Sequence, residues 1–244
     1  MTERVALVTG GARGIGRAIA VDLGRQGWRV AVGYRTSAAA AAETVASIEA
    51  AGGRGLALAG DVGDPEAVRR LGREVEGAFG RIDALVHAAG PFRRAPLLEE
   101  TPEAWRATFD ANLHSLYYLT RVVVSGMRAR RWGRIVAFGL AGAERRAAPP
   151  AVLAYHVAKV AVLALVRALA RDLAVDGITV NAISPGVVDS GGTPAGEIEA
   201  MRPRIPAGRV GAVEDTVAAA RFLLSEEASY LTGSDLVVSG GWGL

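Results

Sequence analysis

The segment Thr9-Gly10-Gly11-Ala12-Arg13-Gly14-Ile15-Gly16 constrains the fold of this chain most, because of what flanks it. The apolar run at 5–8 before it is short enough for a buried strand, and a helical pattern of apolar residues begins at Ile15 after it. Glycine at 10, 14 and 16 lets the backbone turn sharply from strand into helix. It also leaves the helix N-terminus bare, where unpaired N–H groups and the helix dipole attract an anion such as a pyrophosphate. In that context the turn predicts a dinucleotide site containing Gly10, Arg13, Gly14, Ile15 and Gly16.

The alternation continues along the chain. Strands are expected at 28–32, 56–59 and 82–87, separated by an alanine-rich helix over 38–49 and by a helix that Asp64-Pro65 opens. A long helical stretch over about 103–130 carries Trp105, Phe109, Leu113, Leu116 and Leu119 at helical spacing. A strand at 134–138, a helix over 152–173 and strands at 179–183 and 236–238 complete the pattern. Strands separated by helices of ten or more residues pair in parallel through right-handed crossovers, which gives a doubly wound α/β sheet, a Rossmann fold. The 244 residues require one domain, and no linker interrupts 1–244. Residues 189–209 depart from the pattern, being rich in glycine, proline and charge. They read as a flexible excursion, either a lid over a substrate pocket or an ordinary surface loop.

Composition removes several classes of function. There is no cysteine, hence no disulfide, zinc-thiolate site or cysteine nucleophile, and His87, His114 and His156 show no metal-ligand spacing, so no metal is expected. Lys plus Arg (28) exceeds Asp plus Glu (25) by only three, and the basic residues are scattered. The short run Arg128, Arg130, Arg131 and Arg134 reads as a solvated helix end, so no nucleic-acid partner is expected. The first residues lack the pattern of an export signal, and no stretch reaches about 18 uncharged apolar residues. A cytoplasmic protein without a membrane partner is the expectation.

The identity of the dinucleotide should be legible after the second strand, where an acid would bind ribose hydroxyls and repel an added phosphate. Here the chain reads Gly33-Tyr34-Arg35-Thr36-Ser37, with no acid. Arg35, helped by Thr36, Ser37 and Arg13, suits a phosphate, which points to NADP(H); the other reading leaves Arg35 as a surface residue. Asp61-Val62 and His87-Ala88-Ala89-Gly90 follow the third and fourth strands, at the carboxyl edge where ligands bind. Asp61 can accept from the adenine amino group, with Val62 over the ring, or it can cap the helix near Pro65. Tyr155 and Lys159, four apart on a helix, share a face. An ammonium there can lower the phenol's pKa and make Tyr155 a proton donor to a carbonyl, although this spacing also occurs in purely structural helices.

The glycine pattern, Asp61-Val62, Ala89-Gly90, Asn112, Tyr155 with Lys159, Asn181-Ala182-Ile183-Ser184-Pro185-Gly186 and the ending Ser239-Gly240-Gly241 together resemble the short-chain dehydrogenase/reductase family. The closest resemblance is to its 3-oxoacyl-carrier-protein-reductase-like members, and it covers essentially the whole chain. It implies Tyr155 as general acid, Lys159 holding the nicotinamide ribose, and Asn112 holding a relay water through a break in its helix. It further implies Ala88, Ala89 and Gly90 bordering the coenzyme, Pro185, Gly186 and Val188 passing over the nicotinamide, and Ser190 near the carboxamide. His87 stands where an asparagine is usual.

The departure from the family lies before Tyr155. Where two hydroxyl residues are usual, the second binding the substrate carbonyl, this chain has Gly139 and Leu140, and no Ser, Thr, Asn or Asp occurs from 139 to 154. A substrate hydroxyl, a loop N–H or water would have to supply part of that bond. His156 points away around the helix, and Glu144, Arg145 and Arg146 lie in a lengthened loop, exposed or touching a polar substrate. Reduction of a 3-oxoacyl-thioester-like ketone is therefore the leading expectation. A pteridine-reductase-like or quinone reductase, or a catalytically weak coenzyme-binding scaffold, are the alternatives. The resemblance implies a homodimer or homotetramer paired through the helices at about 103–130 and 152–173, where Val122, Val123, Val124, Leu163, Leu165, Val166 and Leu169 lie.

Overall fold

A computed structural model describes residues 3–143, 150–192 and 194–243. The strand β1 (Val5–Thr9) runs into the glycine turn and helix α1 (Gly14–Arg25). Then follow β2 (Arg29–Tyr34), α2 (Ala38–Ala50), β3 (Arg54–Ala59), α3 (Pro65–Phe79) and β4 (Ala84–His87). The second half contains α4 (Pro102–Phe109), α5 (Ser115–Arg130), β5 (Gly133–Phe138), α6 (Leu153–Leu173), β6 (Ile178–Pro185), β7 (Val188–Asp189), α7 (Ala195–Met201), β8 (Gly211–Ala212), α8 (Val213–Leu224) and β9 (Asp235–Val238). Seven strands form one parallel sheet in the order β3-β2-β1-β4-β5-β6-β9. The expected doubly wound α/β fold is what the chain adopts.

Side chains alternate across a strand, and β1 shows how this divides the core. Val5 and Leu7 point to one face, where Leu71, Leu116, Leu119, Val162 and Leu163 from α3, α5 and α6 cover them. Ala6 and Val8 point to the other, against Ile19, Leu23, Ile48, Val217 and Leu223 from α1, α2 and α8. With helices on both faces the inner strands β1, β4 and β5 are buried throughout, which is why they read as short apolar runs, while the edge strands β3 and β9 stay partly exposed. The strand order reverses between β1 and β4, and Thr9 stands beside His87 at their carboxyl ends. A crevice opens at such a reversal.

Three features differ from expectation. The stretch over 103–130 is two helices, with a π turn at Asp110–His114 between α4 and α5. Helix α8 occupies a region to which the pattern assigned no element; Asp215 caps its start by accepting from the Ala212 N–H at 2.8 Å. The excursion at 189–209 contains α7 and a short 3-10 turn at Arg202–Arg204, and β7 pairs with β8 across its base. Seven residues of helix are too few to show a periodicity. Among the described residues, the stretch Leu153–Asp176 has the length and hydropathy of a membrane span. Yet Val162, Leu163, Val166, Ala170 and Leu173 are buried in the core, as in the central helix of a doubly wound fold.

Candidate active site

The glycine turn is built by close backbone approach. Gly10 has φ +68°, and a Cβ on it would lie 2.7 Å from the Ala89 nitrogen, so only glycine lets the ends of β1 and β4 close together. A Cβ on Gly16 would lie 2.4 Å from the Gly10 carbonyl oxygen, which seats the first turn of α1 on the loop. Helix α1 has no acidic residue in its first turn and no side-chain cap, so its N-terminal amides face outward without a competing anion.

Along the adenosine side, Arg35 lies 3.6 Å from Asp61, both exposed. Such a pair is worth little in water and exchanges readily for another anion. Asp61 accepts from the Gly63 N–H at 2.9 Å, whereas α3 is capped by Asp64, which accepts from Glu66 N–H at 2.9 Å. The helix-capping reading of Asp61 therefore falls to Asp64. Val62 packs into the core. Thr36 is exposed, and Ser37 occupies the N-cap position of α2 without a cap bond.

The reaction side is a cavity of about 1270 Å³. It brings together Gly10, Arg13, Ile15 and Gly16 from the turn, Ala88 and Gly90 after β4, Tyr155 and Lys159 on α6, and Pro185, Gly186, Val188 and Ser190 after β6. Gly14 is set against Ser190, whose Cβ would lie 3.3 Å from a Cβ at 14. Arg35, Thr36, Ser37, Asp61 and Val62 lie outside it, as do Ala89 and Asn112.

Lys159 is buried; its Nζ donates to the Phe138 carbonyl at 2.8 Å and lies 5.4 Å from the centre of the Tyr155 ring. Burial pushes the ammonium down to about 8 and the Tyr155 phenol up to about 12. The expectation that the lysine would lower the tyrosine's pKa is thus not met in this structure, because desolvation of the phenolate dominates. The π turn carries Asn112, whose Nδ2 donates to the carbonyls of Thr108 (3.0 Å) and Pro91 (3.4 Å). Its Oδ1 is buried without a partner among the described residues. A Cβ on Gly90 would lie 2.5 Å from that oxygen and 3.3 Å from Lys159 Nζ, so an unused acceptor and a cation converge on Gly90.

His87 is buried, with Nδ1 2.8 Å from the Thr9 hydroxyl and Nε2 2.8 Å from Ser115 Oγ. Burial and the neighbouring Lys159 charge push it down to about 3, so it is neutral. At Gly139 a Cβ would lie 2.3 Å from Ser184 Oγ and 2.9 Å from Leu163, so a hydroxyl residue there would have to displace both side chains. Leu140 lines the cavity and adds no donor side chain. His156 is buried outside the cavity lining, and Glu144, Arg145 and Arg146 lie outside the described residues. The cavity also gathers residues that the sequence reading missed, among them Phe92, Arg94, Arg204 and Trp242. They come from three segments without periodicity; the adjacency of Phe92 to Gly90 and of Trp242 to the glycine ending, and the place of Arg204 in the 189–209 excursion, were the hints.

Residues 10–243 match the family described as enoyl-(acyl carrier protein) reductase. The chain belongs to the short-chain dehydrogenase/reductase family. A 3-oxoacyl-(acyl-carrier-protein) reductase of Pseudomonas aeruginosa is 38% identical over 242 residues, 98% of this chain and 96% of that protein. Among solved structures, a dehydrogenase/reductase from Sinorhizobium meliloti superposes with a TM-score of 0.92 at 36% identity, covering 100% of this chain and 96% of that one. A short-chain dehydrogenase from Burkholderia cenocepacia, solved in complex with NADP, gives 0.91 at 36% identity, covering 100% and 99%. In each of these three comparisons the likeness spans at least 96% of both chains.

Proposed function

We propose that this chain is an NADPH-dependent reductase of ketones, nearest to 3-oxoacyl thioesters, with Tyr155 as proton donor. The observation that carries the reading is the meeting of the glycine-turn residues with Tyr155 and Lys159 in one cavity. The reductase activity named for the Pseudomonas aeruginosa relative and the NADP held by the Burkholderia cenocepacia protein support it.

The residues present fit a nicotinamide coenzyme: a bare helix N-terminus, a glycine at 90 that admits no side chain, and an orphaned Asn112 oxygen beside the Lys159 cation. When bound, the reduced coenzyme supplies the hydride. The amides of Gly14, Ile15 and Gly16 would hold its pyrophosphate, and Arg35, with Arg13, Thr36 and Ser37, its extra phosphate once Asp61 is displaced. Asp61 and Val62 would border the adenine, Ala88, Ala89 and Gly90 the middle of the molecule, and Pro185, Gly186, Val188 and Ser190 the nicotinamide end.

With its pKa pushed up, Tyr155 keeps its proton at neutral pH and donates it to the substrate oxygen, which as an alkoxide is far more basic than a phenolate. Lys159 holds the ribose, and Asn112 Oδ1 accepts from a water that returns the proton. The ladder to β6 continues past β5, with Gly139 N–H donating to Ile183 and Ala141 N–H to Pro185. Alternation therefore turns the intervening Leu140 N–H to the opposite edge, the side on which Lys159 meets the Phe138 carbonyl. That N–H, which has no backbone acceptor among the described residues, takes over part of the missing hydroxyl's bond to the carbonyl. The segment 189–209 acts as a lid, since Ser190, Ile198, Met201 and Pro206 line the cavity. The protein pairs with copies of itself through α6, which exposes Leu153, Val157 and Val160, and α5, which exposes Tyr117; Val123, Leu163 and Val166 belong to the core instead.

The test is NADPH and NADH oxidation over 3-oxoacyl thioesters, simple ketones, quinones and a dihydropterin, in wild type and Tyr155→Phe. Turnover of the thioesters with NADPH, abolished in Tyr155→Phe with NADPH affinity retained, is expected. Tight NADPH binding without turnover of any substrate would identify a scaffold and end the reductase reading.

A further inference from the structure

We propose that the outer end of the cavity recognises an anionic oxygen group, a carboxylate or a phosphate, through Arg94 and Arg204. This rests on the cavity being the substrate site. Among the described residues, five charged ones line it: Arg13, Arg94, Lys159, Arg204 and Glu197. Arg13 and Lys159 belong to the coenzyme end, which leaves two guanidinium groups and one carboxylate on the substrate wall, a net positive surface.

The two arginines share a construction. The Arg94 guanidinium sits 5.6 Å from the centre of the Phe92 ring, and that ring lies edge-on, 5.0 Å from the ring of Tyr155. One aromatic ring therefore separates the charge from the reacting phenol. Arg204, which lines the same cavity, sits 5.4 Å from the Trp242 ring. Their neighbours Arg93 and Arg202 are paired with Glu100 and Glu199. Arg94 and Arg204 have no carboxylate partner among the described residues, so their charge is held by ring faces and is not neutralised. A guanidinium backed by a ring keeps its N–H edge free, and that edge matches the two oxygens of a carboxylate or phosphate. Phe92 stands between Arg94 and the phenol, and Ile198 and Met201 add apolar surface to the same cavity. The ligand this describes has a ketone at one end, a short apolar body and an oxyanion at the other.

The oxyanion has two sources, the substrate itself or the phosphate of a thioester carrier arm, and two matched pairs separate them. The first pair is 3-oxobutanoate against its methyl ester. The second is the coenzyme A thioester of 3-oxobutanoate against the N-acetylcysteamine thioester, which lacks phosphate. With NADPH, kcat/KM is expected to favour the anionic member of one pair by tenfold or more, and that ratio to collapse toward one in Arg94→Gln and in Arg204→Gln. The pair that responds names the source. Ratios near one in wild type overturn the proposal, as does an equal fall of both members in the variants, which is lost packing. If no carbonyl is turned over, the reductase reading fails on its own. Calorimetric titration of hexanoate against hexanamide then decides: tighter binding of hexanoate, lost in both variants, sustains the anion site, and equal binding overturns it.

Discussion

Lys159→Met should make this protein more stable while removing its activity. In the fold the ammonium is buried and its pKa drops from 10.5 to about 8, which corresponds to about 3 kcal/mol against the charged form. Below pH 8 both the folded and the unfolded chain carry the proton, so the full destabilisation is present at neutral pH. Between pH 8 and 10.5 the unfolded chain holds a proton that the folded one has released, so stability from this group rises with pH across that window. Methionine fills the same unbranched space without charge. It gives up one hydrogen bond to the Phe138 carbonyl, worth about 1 kcal/mol. The net expectation at pH 7 is a gain of about 2 kcal/mol, or about 4–8 °C in Tm for a chain of this size. Circular dichroism melts without coenzyme, at pH 7 and pH 10.5, measure it. The gain should vanish or reverse slightly at the higher pH. An unchanged or lower Tm at pH 7, or a gain indifferent to pH, would refute the reasoning that a functional cation is held here at the expense of the fold.

Two further outcomes follow from the same geometry. Leu140→Ser places a hydroxyl beside the N–H proposed to serve the carbonyl, so kcat/KM for a ketone should rise about tenfold, less than the hundredfold typical of a lone donor; no rise would show that the substrate oxygen sits elsewhere. Val157→Glu combined with Val160→Glu puts two charges on the exposed apolar face of α6. Light scattering should then report a monomer where the parent is a dimer or tetramer, and a parent that is already monomeric would refute the pairing.

Much of the fold was readable because the sheet is covered on both faces: each strand appears as a short apolar run, and the glycine turn follows the first of them. The π turn at Asp110–His114 was hidden by arithmetic. Phe109, Leu113 and Leu116 keep spacings of four and three, which an uninterrupted helix would also show. Helix α8 was not beyond reach, since Val213, Val217, Ala220 and Leu224 recur every three or four residues. The site divides in the same way. Spacing four on α6 brought Tyr155 and Lys159 together, but the sign of the tyrosine's shift depends on burial, which periodicity does not report. Phe92, Arg94, Arg204 and Trp242 meet only when three chain segments fold onto one cavity.

His87 shows how an unexpected residue is accommodated beside a functional charge. A second cation near Lys159 would oppose the ammonium that the site needs, and a histidine is the side chain most able to become one near neutral pH. The fold removes that option by using both ring nitrogens in the neutral form. The Ser115 hydroxyl donates to the Ala111 carbonyl at 2.9 Å, so it accepts from His87 Nε2, and the Thr9 hydroxyl donates to Nδ1. With the ring's pKa down to about 3, the imidazole stays neutral near neutral pH. The chain of bonds ends on a carbonyl inside the π turn that presents Asn112, so the neutral imidazole ties the end of β1 and the end of β4 to that turn. His87 thus supplies a polar bridge between these elements and leaves the charge balance around Lys159 unaltered.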